Sequence, residues 1–148
     1  MNDHLSPTEW RLERRLPTAD EHRRLAGAVG WSNAFDWALV PASLERSLFG
    51  VVAVAAEDVI GMGRLVGDGV MYFYVQDVAV RPEFQRQGIG RAIVNALLDH
   101  IQSVGPANAF VGLFATPEAM PLYRQAGFAE SDLTGMFQVI PAIASSKG

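Results

Sequence analysis

Apolar and polar positions alternate from residue 9 to 17, where Trp10, Leu12 and Arg14 stand against Arg11, Glu13 and Arg15. A period of two predicts a half-buried strand, and Pro17 ends it. Thr18 followed by Glu21 has the form of a capping box, in which each side chain satisfies a backbone donor of the other. A helix is expected from there to Gly30, a residue suited to closing one. Residues 32–49 again carry helical spacing, with Asn33 as a cap. Pro41 cannot sit in a helix interior without a break, so two short pieces are predicted.

From residue 51 the chain turns β-branched and aromatic. The runs VVAVAA and VIGMGRLV flank Glu57 and Asp58 as the arms of a hairpin, and Gly67-Asp68-Gly69 supplies the next turn. The run over 70–80 is long and aromatic, as expected of a central strand buried on both faces. Residues 90–104 place Ile93, Val94, Leu97, Leu98, Ile101 and Val104 at helical spacing, one apolar stripe to lie on the sheet. Gly105 and Pro106 stop it. A strand over 109–115, a short helix ending at Gly127, and a last strand pair near 128–132 and 136–140 complete the order. One domain over 9–141 is expected, with tails at 1–8 and 142–148.

Composition narrows the function. The 148 residues include no cysteine, which removes disulfides, thiolate metal sites and cysteine nucleophiles together. No apolar run approaches the roughly 18 residues that cross a bilayer, and residues 1–9 carry no apolar signal-peptide core. A soluble, cytoplasmic protein with no membrane partner is the expectation. The net charge of -4 argues against nucleic acid as a partner. Eleven of the twelve basic residues are arginine, so local anion sites stay open. His4, His22 and His100 are read as tail and helix-surface residues, their spacing fits no metal site, and they receive no role.

The chemistry concentrates in QDVAV, RPEFQRQGIG and RAIVNALL, read as strand, loop and helix. Gln85, Gly88 and Gly90 fall at the spacing Q-x-x-G-x-G between Arg86 and Arg91. Glycines let backbone approach a ligand closely, and free N–H groups at a helix N-terminus make an anion site. A pyrophosphate would fit; an ordinary glycine-rich turn has the same letters. A nucleotide P-loop is excluded, because its lysine and hydroxyl are missing. A dinucleotide fingerprint at Gly61, Gly63 and Gly67 fails on spacing and on the strand that continues there.

DVAVRPEFQRQGIGRAIVNALL resembles the acyl-CoA-binding motif of the GNAT superfamily of N-acetyltransferases. A second segment, PLYRQAGF, is similar to that superfamily's helix ending in Tyr-x-x-x-Gly-Phe, here Tyr123, Gly127 and Phe128. The resemblance implies an α+β fold with a mixed, mainly antiparallel central sheet of about seven strands, flanked by helices and splayed between the fourth and fifth. It implies acetyl-CoA as co-substrate, with no metal. The backbone of Arg86, Gln87, Gly88, Ile89, Gly90 and Arg91, with Gln85 beside it, would hold the pyrophosphate. Val78, Ala79 and Val80 would pair with the pantetheine arm, and the Val78 N–H would face the thioester oxygen.

Acetyl transfer asks for two proton events. An alkylammonium with a pKa near 10.4 must lose a proton before it attacks, and the departing thiolate must be met by a donor. Tyr123 matches the donor position, with Tyr72 and Tyr74 as weaker candidates; packing against the core is its other reading. Asp77, alone in an apolar run, is the best carboxylate for the base. Alternation also allows it to face a neighbouring helix, and a bulge would decide. Glu118 and a water relay are the other routes. Trp31, Phe35, Trp37 and Asp36 fall in the region that caps the acceptor side in this family, and core packing would explain the aromatics equally. The expected function is direct acetyl transfer to a primary amine of a small molecule. The alternatives are a protein or peptide amine, and a non-catalytic acetyl-CoA-binding regulator. A homodimer is a further expectation from the resemblance.

Overall fold

Local chemistry builds the first elements as the sequence predicts. The Glu21 N–H donates to Thr18 Oγ1 at 3.1 Å and the Thr18 N–H to Glu21 Oε1 at 2.9 Å, closing the capping box. Helix α1 (Ala19–Ala28) starts there, and Gly30, at φ 84°, turns the chain out of it. In the computed structural model, residues 9–143 are described; the whole of the expected tail 1–8, with His4, and residues 144–148 of the other lie outside them. Only one helical piece follows in place of the expected two, α2 (Val40–Glu45). Pro41 opens α2 instead of breaking a longer helix, because the first turn is where a missing N–H goes unnoticed.

Five strands form one sheet in the order β1-β2-β3-β4-β5: β1 (Arg11–Glu13), β2 (Phe49–Ala55), β3 (Asp58–Gly67), β4 (Tyr72–Val80) and β5 (Phe110–Gly112). Neighbours run antiparallel except β4 and β5, which are parallel. The strand expected to begin at residue 70 begins at Tyr72. One carboxylate oxygen of Asp68 collects the N–H groups of Val70, Met71 and Tyr72 at 2.8, 2.9 and 2.9 Å, holding that stretch in a turn.

The expectation of about seven strands is corrected to five among the described residues. Residues 128–143 join no ladder, and Leu133, Met136, Phe137, Val139 and Ile140 are exposed. Two physical reasons stand out. β5 is only three residues long and offers few groups to a sixth strand, and Asp132 and Gly135 are poor strand formers.

Helices cover both faces. Helix α3 (Ile89–Val104) buries Ile89, Ile93, Val94, Leu97 and Ile101, and lies against Val51, Ala53, Leu65, Phe73 and Val75 of the sheet. Val104, expected on that stripe, is exposed. On the other face Leu25 of α1 packs with Val52, Val54, Met62 and Ala79. The last helix, α4 (Met120–Gln125), leans on α3. Pairing between β4 and β5 stops after Tyr74 and Gly112, while β4 continues six residues to Val80. A wedge opens between the two strands from that point.

Gly63 lets α3 lie almost on the backbone of β3. A methyl group there would sit 2.6 Å from Ile93 Cγ2 and 3.3 Å from Leu97 Cδ1. Gly63→Ala is therefore expected to destabilise the fold by about 1–3 kcal/mol, the usual penalty of overpacking, read as a lower urea midpoint at unchanged slope.

Candidate active site

β4 carries one residue too many. Its register against β3 pairs Met62 with Ala79 but Arg64 with Gln76, so Asp77 and Val78 both stand opposite Gly63. Asp77 absorbs the extra residue in the left-handed region, at φ 58°. Aspartate tolerates that conformation better than most side chains, though it still carries strain. Strict alternation would have pointed Asp77 into the α3 core with Phe73 and Val75; the bulge turns it to the α1 and α2 face beside Gln76. Of the two orientations the sequence allowed, this is the one toward the neighbouring helix.

There the carboxylate is buried and fully engaged. Oδ2 accepts from Arg64 Nε at 2.9 Å and from His22 Nε2 at 3.0 Å, and Oδ1 accepts from Gln76 Nε2 at 3.0 Å. Arg64 is anchored in turn by α2 and the loop after it, donating from Nη1 to the Ser43 carbonyl at 3.0 Å and Ser47 Oγ at 2.9 Å, and from Nη2 to Ser43 Oγ at 3.1 Å. Burial alone would raise the Asp77 carboxyl, but the His22 hydrogen bond, the Arg64 charge and Gln76 outweigh it and hold the group below the ordinary aspartate range. A carboxylate so held is a weak base.

His22 corrects the sequence reading. It is 1% exposed, on the buried stripe of α1 with Leu25 and Ala26, not on the helix surface. Phe35 and Trp37 present their rings to it at 4.9 and 5.8 Å between centroids, and its Nδ1 is buried without a hydrogen-bond partner. Trp31 is half-buried against the cluster of Leu25, Val52, Val54, Met62 and Ala79. Asp36 is exposed and accepts the Ala38 N–H at 3.1 Å, a turn contact. His100 is stacked on Phe49 at 3.9 Å. Arg64 was not among the expected site residues. Its signal was a single cation in the apolar run VIGMGRLV, which a buried partner has to answer.

The glycine-rich loop follows β4 directly. A 3₁₀ turn over Pro82–Phe84 leads to Gln85, whose Nε2 donates to the Val80 carbonyl at 3.0 Å and closes the loop on the strand it leaves. Arg86 and Gly88 have φ of 67° and 83°, and Gly88 is the N-cap of α3 with no side chain capping the helix. The first N–H groups of α3, at Ile89, Gly90 and Arg91, are therefore left without a capping side chain, the condition for an anion. The two glycines differ. Open space surrounds the position of a Gly88 side chain, whereas one on Gly90 would meet Leu122 Cδ2 at 3.3 Å. Gly90 serves the contact of α3 with α4, which Arg91 Nη1 reinforces through Gln125 Oε1 at 3.2 Å.

Two phenols reach the wedge. Tyr123 is 8% exposed and lies edge-on to Phe128; burial, and then the Tyr74 phenol beside it, push its pKa above the ordinary value. Burial followed by the Asp77 charge raises Tyr74, against a backbone hydrogen bond from Phe114. Tyr72 stands at the paired end of β4 against Phe110, roughly 20 Å of strand from Val78 at 3.3 Å per residue. Glu118 is exposed in the turn before α4.

A strand that parts from its parallel neighbour, bulges, and feeds a glycine loop at a helix N-terminus is an acyl-CoA transferase architecture. Residues 26–144 match the model of the acetyltransferase (GNAT) domain, and the chain belongs to that family. It is 30% identical over 119 residues, 79% of its length and 58% of the relative's, to GCN5-related N-acetyltransferase 1, chloroplastic, of Arabidopsis thaliana. Over 70 residues, 47% of the chain and 34% of the relative, it is 37% identical to serotonin N-acetyltransferase 2, chloroplastic, of Oryza sativa. Over 58 residues, 38% of the chain and 39% of the relative, it is 36% identical to the [ribosomal protein bS18]-alanine N-acetyltransferase of Escherichia coli. The chain thus spans between about a third and three fifths of the lengths of these relatives. A GNAT-family acetyltransferase of Streptococcus pneumoniae superposes with a TM-score of 0.74 at 29% identity, covering 90% of this chain and 100% of that one. No helix among the described residues is long and apolar enough to cross a membrane.

Asp77 makes the fold acid-sensitive in a stated direction. Its folded pKa lies below its unfolded value, so the stability it contributes is fully present above the unfolded value, about 3.9, and is lost as pH falls through the folded one. The urea midpoint of the wild type is expected to drop between pH 5 and pH 3. Asp77→Asn should start lower at pH 5 and drop less over the same interval.

Proposed function

We propose that this protein transfers the acetyl group of acetyl-CoA to a primary amine by direct attack, without a covalent enzyme intermediate. The observation that carries the reading is the continuity of β4 past its last pairing with β5, through the bulge at Asp77 and Val78, into the loop at the start of α3. The unpaired side of β4 offers backbone groups at Val78, Ala79 and Val80 for the pantetheine amides. The N–H groups of the segment from Gln85 to Arg91 take the pyrophosphate, and the Val78 N–H takes the charge that develops on the thioester oxygen.

Tyr123 answers the leaving thiolate. Its phenol, ordinarily near 10 and pushed up further by burial, is protonated at neutral pH, and a thiol resembling cysteine has a pKa of about 8.5. The phenol is therefore the weaker acid. It lowers the barrier by hydrogen-bonding the thiolate, and the proton that completes the thiol comes from solvent. The amine loses its proton to water in the wedge, because the Asp77 carboxylate is committed to Arg64, His22 and Gln76. Phe35 and Trp37 border the acceptor side. A small-molecule amine is the favoured acceptor; a protein amine is the second reading, since the relatives' names include both serotonin and the alanine of a ribosomal protein.

The decisive experiment is release of free coenzyme A thiol from acetyl-CoA with a panel of tyramine, serotonin, spermidine and an alanine-terminated peptide. Turnover on any of them supports the reading. Saturable acetyl-CoA binding with no turnover on all of them supports a regulator. Gly88→Val forces a β-branched residue to a φ of 83° and should weaken acetyl-CoA binding about tenfold by calorimetry, from the roughly 1–2 kcal/mol strain of that conformation. Tyr123→Phe keeps the packing and should lower kcat about ten- to a hundredfold, at or below the low end of acid–base effects, with acetyl-CoA affinity nearly unchanged. The rate is to be measured at two viscosities, so that product release does not mask the loss.

A further inference from the structure

The bulge raises a question of maintenance. Asp77 holds a left-handed backbone conformation that still carries strain, and the residue beside it, Val78, is the one on which the acetyl-transfer reading places the oxyanion. Two side chains from outside β4 grip the same oxygen of Asp77: Arg64 Nε from β3 at 2.9 Å and His22 Nε2 from α1 at 3.0 Å. All three are at least nine-tenths buried, with residue exposures of 8, 1 and 7% for Arg64, His22 and Asp77. A single carboxylate oxygen held from two directions fixes χ1 of Asp77 as well as its position, and through χ1 the backbone torsions available to it. Ser43 and Ser47 immobilise the guanidinium, and Phe35 and Trp37 close over the imidazole.

We propose that Arg64 and His22 are positioning residues for acetyl transfer: through Asp77 they hold the β4 bulge in the one conformation that presents the Val78 N–H to the thioester oxygen. The proposal rests on the acetyl-transfer reading above and adds who keeps the oxyanion donor in place. Neither side chain touches the substrate. Their effect is geometric, and a displacement of about 1 Å at a reacting group is enough to slow a reaction on the order of a hundredfold.

The first test needs no acceptor. Acetyl-carba(dethia)-CoA, in which a methylene replaces sulfur and the carbonyl is kept, is titrated into the ¹⁵N-labelled protein, with coenzyme A as the control. In the wild type the Val78 amide proton is expected to move downfield with the ketone and not with coenzyme A. If it does not, the acetyl-transfer reading of Val78 fails and this proposal falls with it. In His22→Leu, which leaves the Arg64–Asp77 pair in place, the shift is expected to fall by at least half. The affinity for coenzyme A should stay within about threefold, since the pyrophosphate loop is untouched. His22→Gln, which restores an N–H donor, should recover most of the shift. A wild-type shift kept in full by folded His22→Leu overturns the proposal. If His22→Leu does not fold, Arg64→Lys is read by the same criterion, because it keeps the buried charge and loses the contacts to Ser43 and Ser47. On the amine that turns over fastest in the wild type, His22→Leu should lose kcat roughly ten- to a hundredfold with little change in the KM for acetyl-CoA; a loss confined to KM overturns the proposal.

Discussion

One carboxylate inside an apolar sheet governs the centre of this molecule. Asp77 cannot stay ionised among Phe73 and Val75, and the burial of an unanswered charge costs far more than a distorted strand. β4 inserts an extra residue, the side chain swings to the other face, and Arg64 and His22 meet it there. The neighbouring strand and the α1–α2 layer are tied to that exchange. Ser43 and Ser47 serve Arg64, Phe35 and Trp37 wall in His22, and Gly63 leaves room for α3 opposite the same bulge. The charge cluster sits on one side of β4 and the α3 core on the other, so the distorted segment is pinned between two packed layers.

In the proposed acetyl transfer, function is mostly backbone work. The glycine loop and the first turn of α3 supply N–H groups, the free side of β4 supplies more, and side chains chiefly hold that backbone in shape. This division explains why the two glycines of the loop are not equivalent. Gly88 takes a left-handed conformation with open space around it, while a side chain on Gly90 would press on Leu122 of the adjoining helix.

How much of this the sequence exposes depends on how local the cause is. The capping box, the α3 stripe and the glycine loop are each written in one short segment, and they form where the pattern places them, except that Val104 at the end of the stripe is exposed. Pro41 is equally local but admits two outcomes, and the chain takes helix initiation instead of a break. The strands expected at 128–140 fail because alternation says nothing about whether a partner edge exists. The charge cluster was hardest to see, since His22, Arg64 and Asp77 are 55 residues apart at the extremes. Each taken alone reads as a surface histidine, a strand arginine or a catalytic acid. Only the bulge brings them together.

The short seam between β4 and β5 divides the molecule into parts of unequal cohesion. Three residue pairs join β5 to β4, and beyond them residues 110–127 are held mainly by side-chain contacts, among them Tyr72 with Phe110, Tyr74 with Phe114, Arg91 with Gln125 and the lean of α4 on α3. Segments with so few shared hydrogen bonds open as a unit well before the whole chain unfolds. On the acetyl-transfer reading, the tyrosine proposed to face the leaving group sits on the more loosely joined part, and a bulky spent cofactor would have a way out that leaves the bulged strand intact.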